Sequence, residues 1–436
     1  LIESLSIELL FQDKIFMLST GKVKGSFNMI NKIRNTVEEY PKSFWVMMLG
    51  LFIDNLGGNL IYPFFTLYVT AKFGVGLSVV GLLLGAQTAG RMLGGIVGGG
   101  LADRYGRKKL MLFGLLVSGL FSTVIIFVNH FYVLFLVAVT AGFLGAMSGP
   151  AHQAMLADIL PENKRSSGFG VLRVVYNLTV AVGPLIGGFI SDFSYNWLFI
   201  GDAITSTITF FIVLKLLDET LPEKSETETQ EEGKTDKAGL KGYLQVLKDR
   251  DYVMLLGFLM LTFAVMMQML STLSVYMRDV QGFPNHYYGY ILSLNAVMVV
   301  VMQFWVTRQA DKMKPLIALA IGAAFSTAGY AMFGFVNGLL PFALAMAILT
   351  IGEMVIDPLS ETLAANFAPQ DLRARYMATL NLAVSTAYLI TPYLAGLVID
   401  NYDPHWVWYA CGIVGSVAVL GYIWLHFQTE TQSQEA

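Results

Sequence analysis

Apolar residues along this chain are gathered into about twelve blocks of roughly 20 residues or more, the length a helix needs to cross a ~30 Å hydrocarbon core. Each block is continuous and lacks the period-two alternation of a membrane strand. A backbone in hydrocarbon has no water to bond to and must satisfy itself, so these blocks predict helices. They run over 44–70, 78–102, 109–129, 131–159, 167–191, 197–217, 252–278, 287–307, 315–337, 341–367, 374–400 and 405–427.

The polar positions between the blocks set the topology. With both termini cytoplasmic, the 28 Lys and Arg fall on cytoplasmic segments, except Lys72 and Arg278 outside and Arg91 and Arg173 within blocks. A different number of spans would scramble that alternation. The chain is therefore expected to be multi-pass in the inner (plasma) membrane, surrounded by lipid bilayer. One long polar break, 218–250, is charged, Ser/Thr-rich and poor in apolar residues. Its front is expected to be a mobile linker and its end an amphipathic helix on the membrane face. It separates two six-helix bundles, 44–217 and 251–427, with cytoplasmic segments at 1–43 and 428–436.

Composition adds limits. The chain is 55% hydrophobic and 14% charged, where a soluble domain has nearer a quarter charged. A single cysteine, Cys411, excludes an internal disulfide, and a net charge of −3 gives no ground for a nucleic-acid partner. Residues 1–43 carry no signal-peptide pattern. Met17 and Met29 are candidate natural starts, so part of residues 1–43 is expected to be added sequence.

The two halves repeat at one fixed offset of 208 positions: Asp103 matches Asp311, Pro150 Pro358, Pro161 and Arg165 match Pro369 and Arg373, Pro184 and Gly188 match Pro392 and Gly396, and Asp192 matches Asp400. The matches fall at equivalent helix ends and kinks. Parallel six-helix repeats with a site between them at mid-membrane mark secondary transporters.

Three stretches carry a family resemblance. GGGLADRYGRKKL (98–110) supplies Gly99, Asp103, Arg104, Gly106, Arg107 and Lys108; VGPLIGG (182–188) lies in the fifth block; IGEMVIDP with PQDLRARYMA (351–378) spans the tenth block and the turn after it. Over 44–427 the chain resembles a major facilitator superfamily transporter, an all-α membrane fold of twelve helices in two six-helix pseudo-repeats. The tenth block is similar to that of bacterial multidrug/proton antiporters. The resemblance implies a cytoplasmic latch: Asp103 facing the start of the eleventh helix near Arg375, and Arg107 paired with Asp158. The bland alternative for Arg104, Arg107, Lys108 and Lys109 is a topology signal alone. Gly183, Pro184, Gly187 and Gly188 form the helix 5 motif, read either as part of the transport cycle or as a packing kink. The helix 4 Arg that many such exporters carry is Ala138 here, four residues before Gly142, so no proton role transfers from it.

Charges inside apolar blocks are costly and mark function by default. They are Asp54, Arg91, Arg173, Glu353, Asp357 and Glu361. At offset 208 they align with Thr262, Val299, Asn381, Gly145, Gly149 and Gln153. The scaffold recurs in both halves and these charges do not, so they are assigned to asymmetric chemistry. Glu353 and Asp54 lie near the midplane and are expected to couple protons to substrate. Asp357, Arg173 and Arg91 are expected beside them, and Glu361, two turns deeper toward the cytoplasm, is read as a gate. The alternative is structural pairing of Arg91 and Arg173 with the acids. Six methionines in the seventh block, Met254, Met260, Met266, Met267, Met269 and Met277, suit an adaptable cavity, with lipid-facing filler the expected role for most.

The expected function is a proton-driven exporter of lipophilic cations working by alternating access, a monomer with no metal and no cofactor beyond the proton gradient. A proton-coupled importer of a sugar, amino acid or peptide is the second reading. No paired nucleophile and base, metal cluster or phosphate loop supports an enzyme.

Overall fold

The computed structural model describes residues 39–221, 245–369 and 372–435. Most of the N-terminal segment, with Met17 and Met29, and positions 222–244 of the polar break lie outside them. Among the described residues twelve helices are long and apolar enough to cross a membrane: α1 (Lys42–Phe73), α2 (Leu77–Tyr105), α3 (Arg107–Phe127), α4 (Phe131–Ile159), α5 (Glu162–Phe193), α6 (Asn196–Leu216), α7 (Arg250–Ser271), α8 (Asn285–Ala310), α9 (Pro315–Met332), α10 (Leu339–Phe367), α11 (Arg373–Asn401) and α12 (His405–Thr431).

The repeat in the sequence is a repeat in packing. The pairs α1–α5, α1–α6, α2–α4 and α3–α6 of the first half recur as α7–α11, α7–α12, α8–α10 and α9–α12 of the second. The halves meet through α2 against α11 and α5 against α8, which are again equivalent pairs.

The lead helix of each half is broken at the same depth. α1 passes through a 3-10 turn over Tyr62–Phe64, where Pro63 has no backbone donor to give. Expected as one helix over 252–278, α7 is interrupted at Met267 and at Thr272, with a last short helix Leu273–Asp279. It has no proline. Side-chain hydrogen bonds gather at the break instead: Ser271 Oγ donates to Met267 O at 3.0 Å and Thr272 Oγ1 to Gln268 Oε1 at 2.6 Å. Carbonyls at the break are taken up by neighbouring helices. The Tyr330 hydroxyl donates to Met266 O at 2.9 Å and the Tyr288 hydroxyl to Met269 O at 2.8 Å. Irregular backbone survives at membrane depth only when it is satisfied in this way.

The two halves touch at the face away from the chain termini. A Cβ on Gly81 would lie 2.4 Å from Pro392 backbone, and one on Gly289 would lie 2.5 Å from Pro184 O. Only glycine allows this approach, and the two contacts are equivalent at offset 208. Toward the terminus face α2 turns to its own half, with Gly94 against Phe143 and Gly98 against Met147. Leu93, Ile96 and Val97 on the same stretch are exposed. The structure is closed at the far face and open at the terminus face.

Gly289→Val should disfavour this closed arrangement by about 1–3 kcal/mol through overpacking. In a Cys411→Ala background, a Val299→Cys reporter on the cavity wall should then react roughly tenfold faster with an impermeant maleimide added from the far face. An unchanged rate would show that the contact does not hold the halves together.

Candidate functional site

Two cavities adjoin the broken levels of α1 and α7. The one in the second half, 480 Å³, is walled by α7, α8, α10 and α11 and by α5 across the boundary. Glu353 sits in its wall, 8% exposed, and its sequence neighbours Met354 and Ile356 are buried in the bundle. Asn295 of α8 donates to Glu353 Oε2 at 2.5 Å and to Thr350 Oγ1 at 2.9 Å. Arg173 and Asp357 stand on the same wall, and the remaining surface is largely apolar, including Met266, Met267, Met269 and Val299. Lipid-facing filler was expected for most of the α7 methionines. Three of them line this cavity instead and Met277 is in the core, because the interrupted helix turns its methionine face inward.

The 320 Å³ cavity in the first half is lined by Tyr62, Gln87, Arg91, Ser118, Ser122 and Asp202, among others. The Arg91 guanidinium lies 5.7 Å from the Tyr62 ring centre, and its Cγ passes beside Gly142. A cation from α2 thus stands next to the segment of α4 where Ala138 and Gly142 lie. Asp54 accepts from Ser206 Oγ at 3.2 Å, and Ser206 Oγ also reaches Ser118 Oγ at 3.2 Å. That chain ends on Asp202, whose Oδ2 accepts from Ser122 Oγ at 2.5 Å and Ser118 Oγ at 3.4 Å.

Asp202 is a buried acid that the sequence reading passes over. It is 4% exposed. Its signal was a lone acid in the apolar block 197–217, too close to the block's end to stand out by depth. Two serines projecting from α3, Ser118 and Ser122, are what identify it.

The structural alternative for the embedded charges was ion pairing. Among the described residues neither Arg91 nor Arg173 makes an ion pair. Glu361 is exposed on α10, toward the terminus face from Glu353.

At the terminus face Arg107 Nη1 meets Asp158 Oδ2 at 2.5 Å and also donates to Thr220 O at 3.0 Å. Asp103 is exposed and has no hydrogen-bond or ion partner among the described residues. It does not reach the start of α11 in this structure, because the halves are apart on this side. Gly99 faces open space, and the Arg104 guanidinium lies 5.3 Å from the Tyr105 ring centre. Gly106 turns the chain at φ 103°, a region that favours glycine. The helix 5 motif is built into two interfaces: Gly183 and Gly187 lie against Asn59 and Leu60 of α1, while Gly188 and Pro184 lie against His286 and Gly289 of α8.

The front of 218–250 was expected to be mobile. Its described residues are instead tied to α3. Glu219 Oε1 accepts from Arg107 N at 2.9 Å and Lys108 N at 3.3 Å, capping the helix start. Partial burial acts to raise the Glu219 carboxyl, but donors from Lys108, Arg107, Leu221 and Thr220 outweigh it and hold it below its ordinary value.

The family model described as Major Facilitator Superfamily matches residues 47–385 and 339–436. A Na(+), Li(+), K(+)/H(+) antiporter of Planococcus maritimus is 27% identical over 423 residues, 89% of this chain and 97% of that one. Multidrug resistance protein MdtH of Yersinia enterocolitica is 23% identical, covering 88% of this chain and 95% of its own length. Among solved structures, the nucleoside transporter NupG superposes with a TM-score of 0.75 at 13% identity, over 88% of this chain and 99% of that one.

A depressed carboxyl contributes stability above its unfolded titration and loses it as pH falls through the folded one. Wild type should therefore melt about 1–2 °C above Glu219→Gln at pH 7 in detergent, and the gap should close below about pH 4. A gap that does not depend on pH would remove the charge from the cap.

Twelve spanning helices in two equivalent halves, joined face to face around mid-depth cavities, agree with the family match over most of the sequence: the chain belongs to the Major Facilitator Superfamily and is a multi-pass membrane transporter rather than an enzyme.

Proposed function

We propose that this transporter exports lipophilic cations in exchange for protons, by alternating access, from the inner membrane with both termini cytoplasmic. The observation that carries the reading is Glu353: a carboxylate buried at mid-depth in a cavity whose other walls are more apolar than polar, with methionine and valine the most frequent residues. A charge there is tolerated only when it is paired or neutralised. Asn295 supplies one donor, and Arg173 shares the cavity without forming an ion pair. The carboxyl can therefore trade a proton for a cation whose apolar body fits the methionine wall. Asp357, one turn along α10, supplies a second acceptor toward the open face. In this reading the present structure is open to the cytoplasm. Asp103 would dock on α11 only when the halves close there, which accounts for its exposure now.

Alkali-cation exchange for protons is a second reading. It is favoured by the chain of oxygen atoms running from Asp54 through Ser206 and Ser118 to Asp202 and Ser122, and by the cation/proton exchange for which the Planococcus maritimus relative is named.

Proteoliposomes with an imposed pH gradient separate these readings. Proton-driven ethidium flux should fall at least about tenfold in Glu353→Gln, with unchanged elution on size exclusion. Flux at the wild-type rate would remove Glu353 from coupling. Asp202→Asn should lower proton-driven flux of ethidium on the first reading and of sodium or potassium on the second. If neither flux changes, the α3–α6 cluster is structural.

A further inference from the structure

The far face is held shut by two acids that close both boundary seams by the same device. Asp400, at the end of α11, accepts through Oδ1 from Leu77 N at 2.8 Å, and through Oδ2 from Ser78 N at 2.8 Å and Ser78 Oγ at 2.5 Å. Asp192, at the end of α5, accepts through Oδ1 from Asn285 N at 2.9 Å, and its Oδ2 pairs with His286 Nδ1. Asp192 and Asp400, Leu77 and Asn285, and Ser78 and His286 are each 208 positions apart. Each carboxylate thus satisfies free N–H groups at the first turn of a helix in the opposite half, where the helix dipole also favours it. All these bonds cross between halves, so opening the far face must break them.

The side chains that bond the two acids differ between the arms, and that difference is chemical. The α2–α11 arm has a serine, whose bond does not change with pH. The α5–α8 arm has a histidine, the side chain whose charge ordinarily changes between pH 5 and 8. A charged imidazole makes an ion pair with Asp192, whereas a neutral one keeps only a hydrogen bond.

The surroundings isolate that pair. From α5, His286 meets Asp192 and the stacked ring of Phe189, 5.4 Å between centres. On α8 itself it meets Tyr287 and Tyr290. Tyr195, beyond α5, accepts from Asn285 Nδ2 at 3.0 Å. Lys72 of α1 lines the same groove but is held by the Tyr68 hydroxyl and Ile126 O. Arg278 is engaged with Asp279 and Leu67. Asp192 is the acid in ion-pair contact with His286 among the described residues, and the two side chains keep 27% and 24% exposure, so far-face protons can reach them.

We propose that Asp192–His286 and Asp400–Ser78 are the paired latches of the far face, and that the His286 arm makes closure of that face strengthen as its pH falls. This does not rest on the mid-membrane carboxylates being proton carriers.

Spin-label distances test it. Labels at Tyr132→Cys and Leu340→Cys, both exposed at the far end of opposite halves, are placed in a Cys411→Ala background. In detergent, the far-face-open fraction should rise about two- to fivefold from pH 5 to pH 8, the scale of a part-exposed ion pair. His286→Ser, which copies the Ser78 arm, and His286→Gln should each flatten that rise. Asp400→Asn should raise the open fraction at both pH values and keep the rise. Repeating the series in Glu353→Gln separates the latch from the mid-membrane carboxyl. A rise that persists in both His286 variants, or is missing from wild type, would overturn the proposal.

Discussion

The constraint on which everything else depends is that hydrocarbon solvates neither a peptide group nor a charge. It forces each crossing into a helix, and it allows a helix to break only where neighbours take over its freed groups. The breaks in α1 and α7 therefore mark places where the bundle has already supplied partners, and those are the levels at which the two cavities lie. It also makes Glu353 informative: a buried carboxylate beside a mostly apolar wall has to be justified by chemistry rather than by packing.

Symmetry and its violation divide the molecule between scaffold and function. Residues that recur at offset 208 shape the boundary between halves: Pro184 against Gly289 and Pro392 against Gly81, with Asp192 and Asp400 capping the facing helices. Residues without a counterpart in kind sit inside the halves, as Glu353 does in one and Asp54 with Asp202 in the other. The boundary is thus a two-fold symmetric contact surface, while each half keeps its own polar interior. His286, with Ser78 as its counterpart, is an asymmetric residue placed within the symmetric seam.

Much of this was legible in the sequence because its causes are local or periodic. Bilayer thickness sets block length, and duplication sets the repeat, so the twelve helices and the equivalence of Pro184 with Pro392 could be read directly. Glu353 could be found because an acid deep in an apolar block is rare. What could not be read depends on helices meeting side by side. Nothing near Glu353 in the chain indicates Asn295 as its donor, and Asp202 needed serines from α3 to declare itself. The α7 interruption has no proline to announce it. Glu219, which looked like part of a solvated linker, is a cap because its segment runs back past the start of α3. Asp103 is different in kind: the acid is where the motif put it, exposed, but its expected partner on α11 is out of its reach in this structure.

Whether Glu353 exchanges a proton for a cation can be measured most directly as proton release on ligand binding. Saturating ethidium is added to purified protein in weakly buffered detergent near neutral pH. Wild type should release protons in proportion to the ligand bound, and Glu353→Gln should bind with a clearly smaller release. Equal proton release per bound ligand in the two proteins would contradict the exchange.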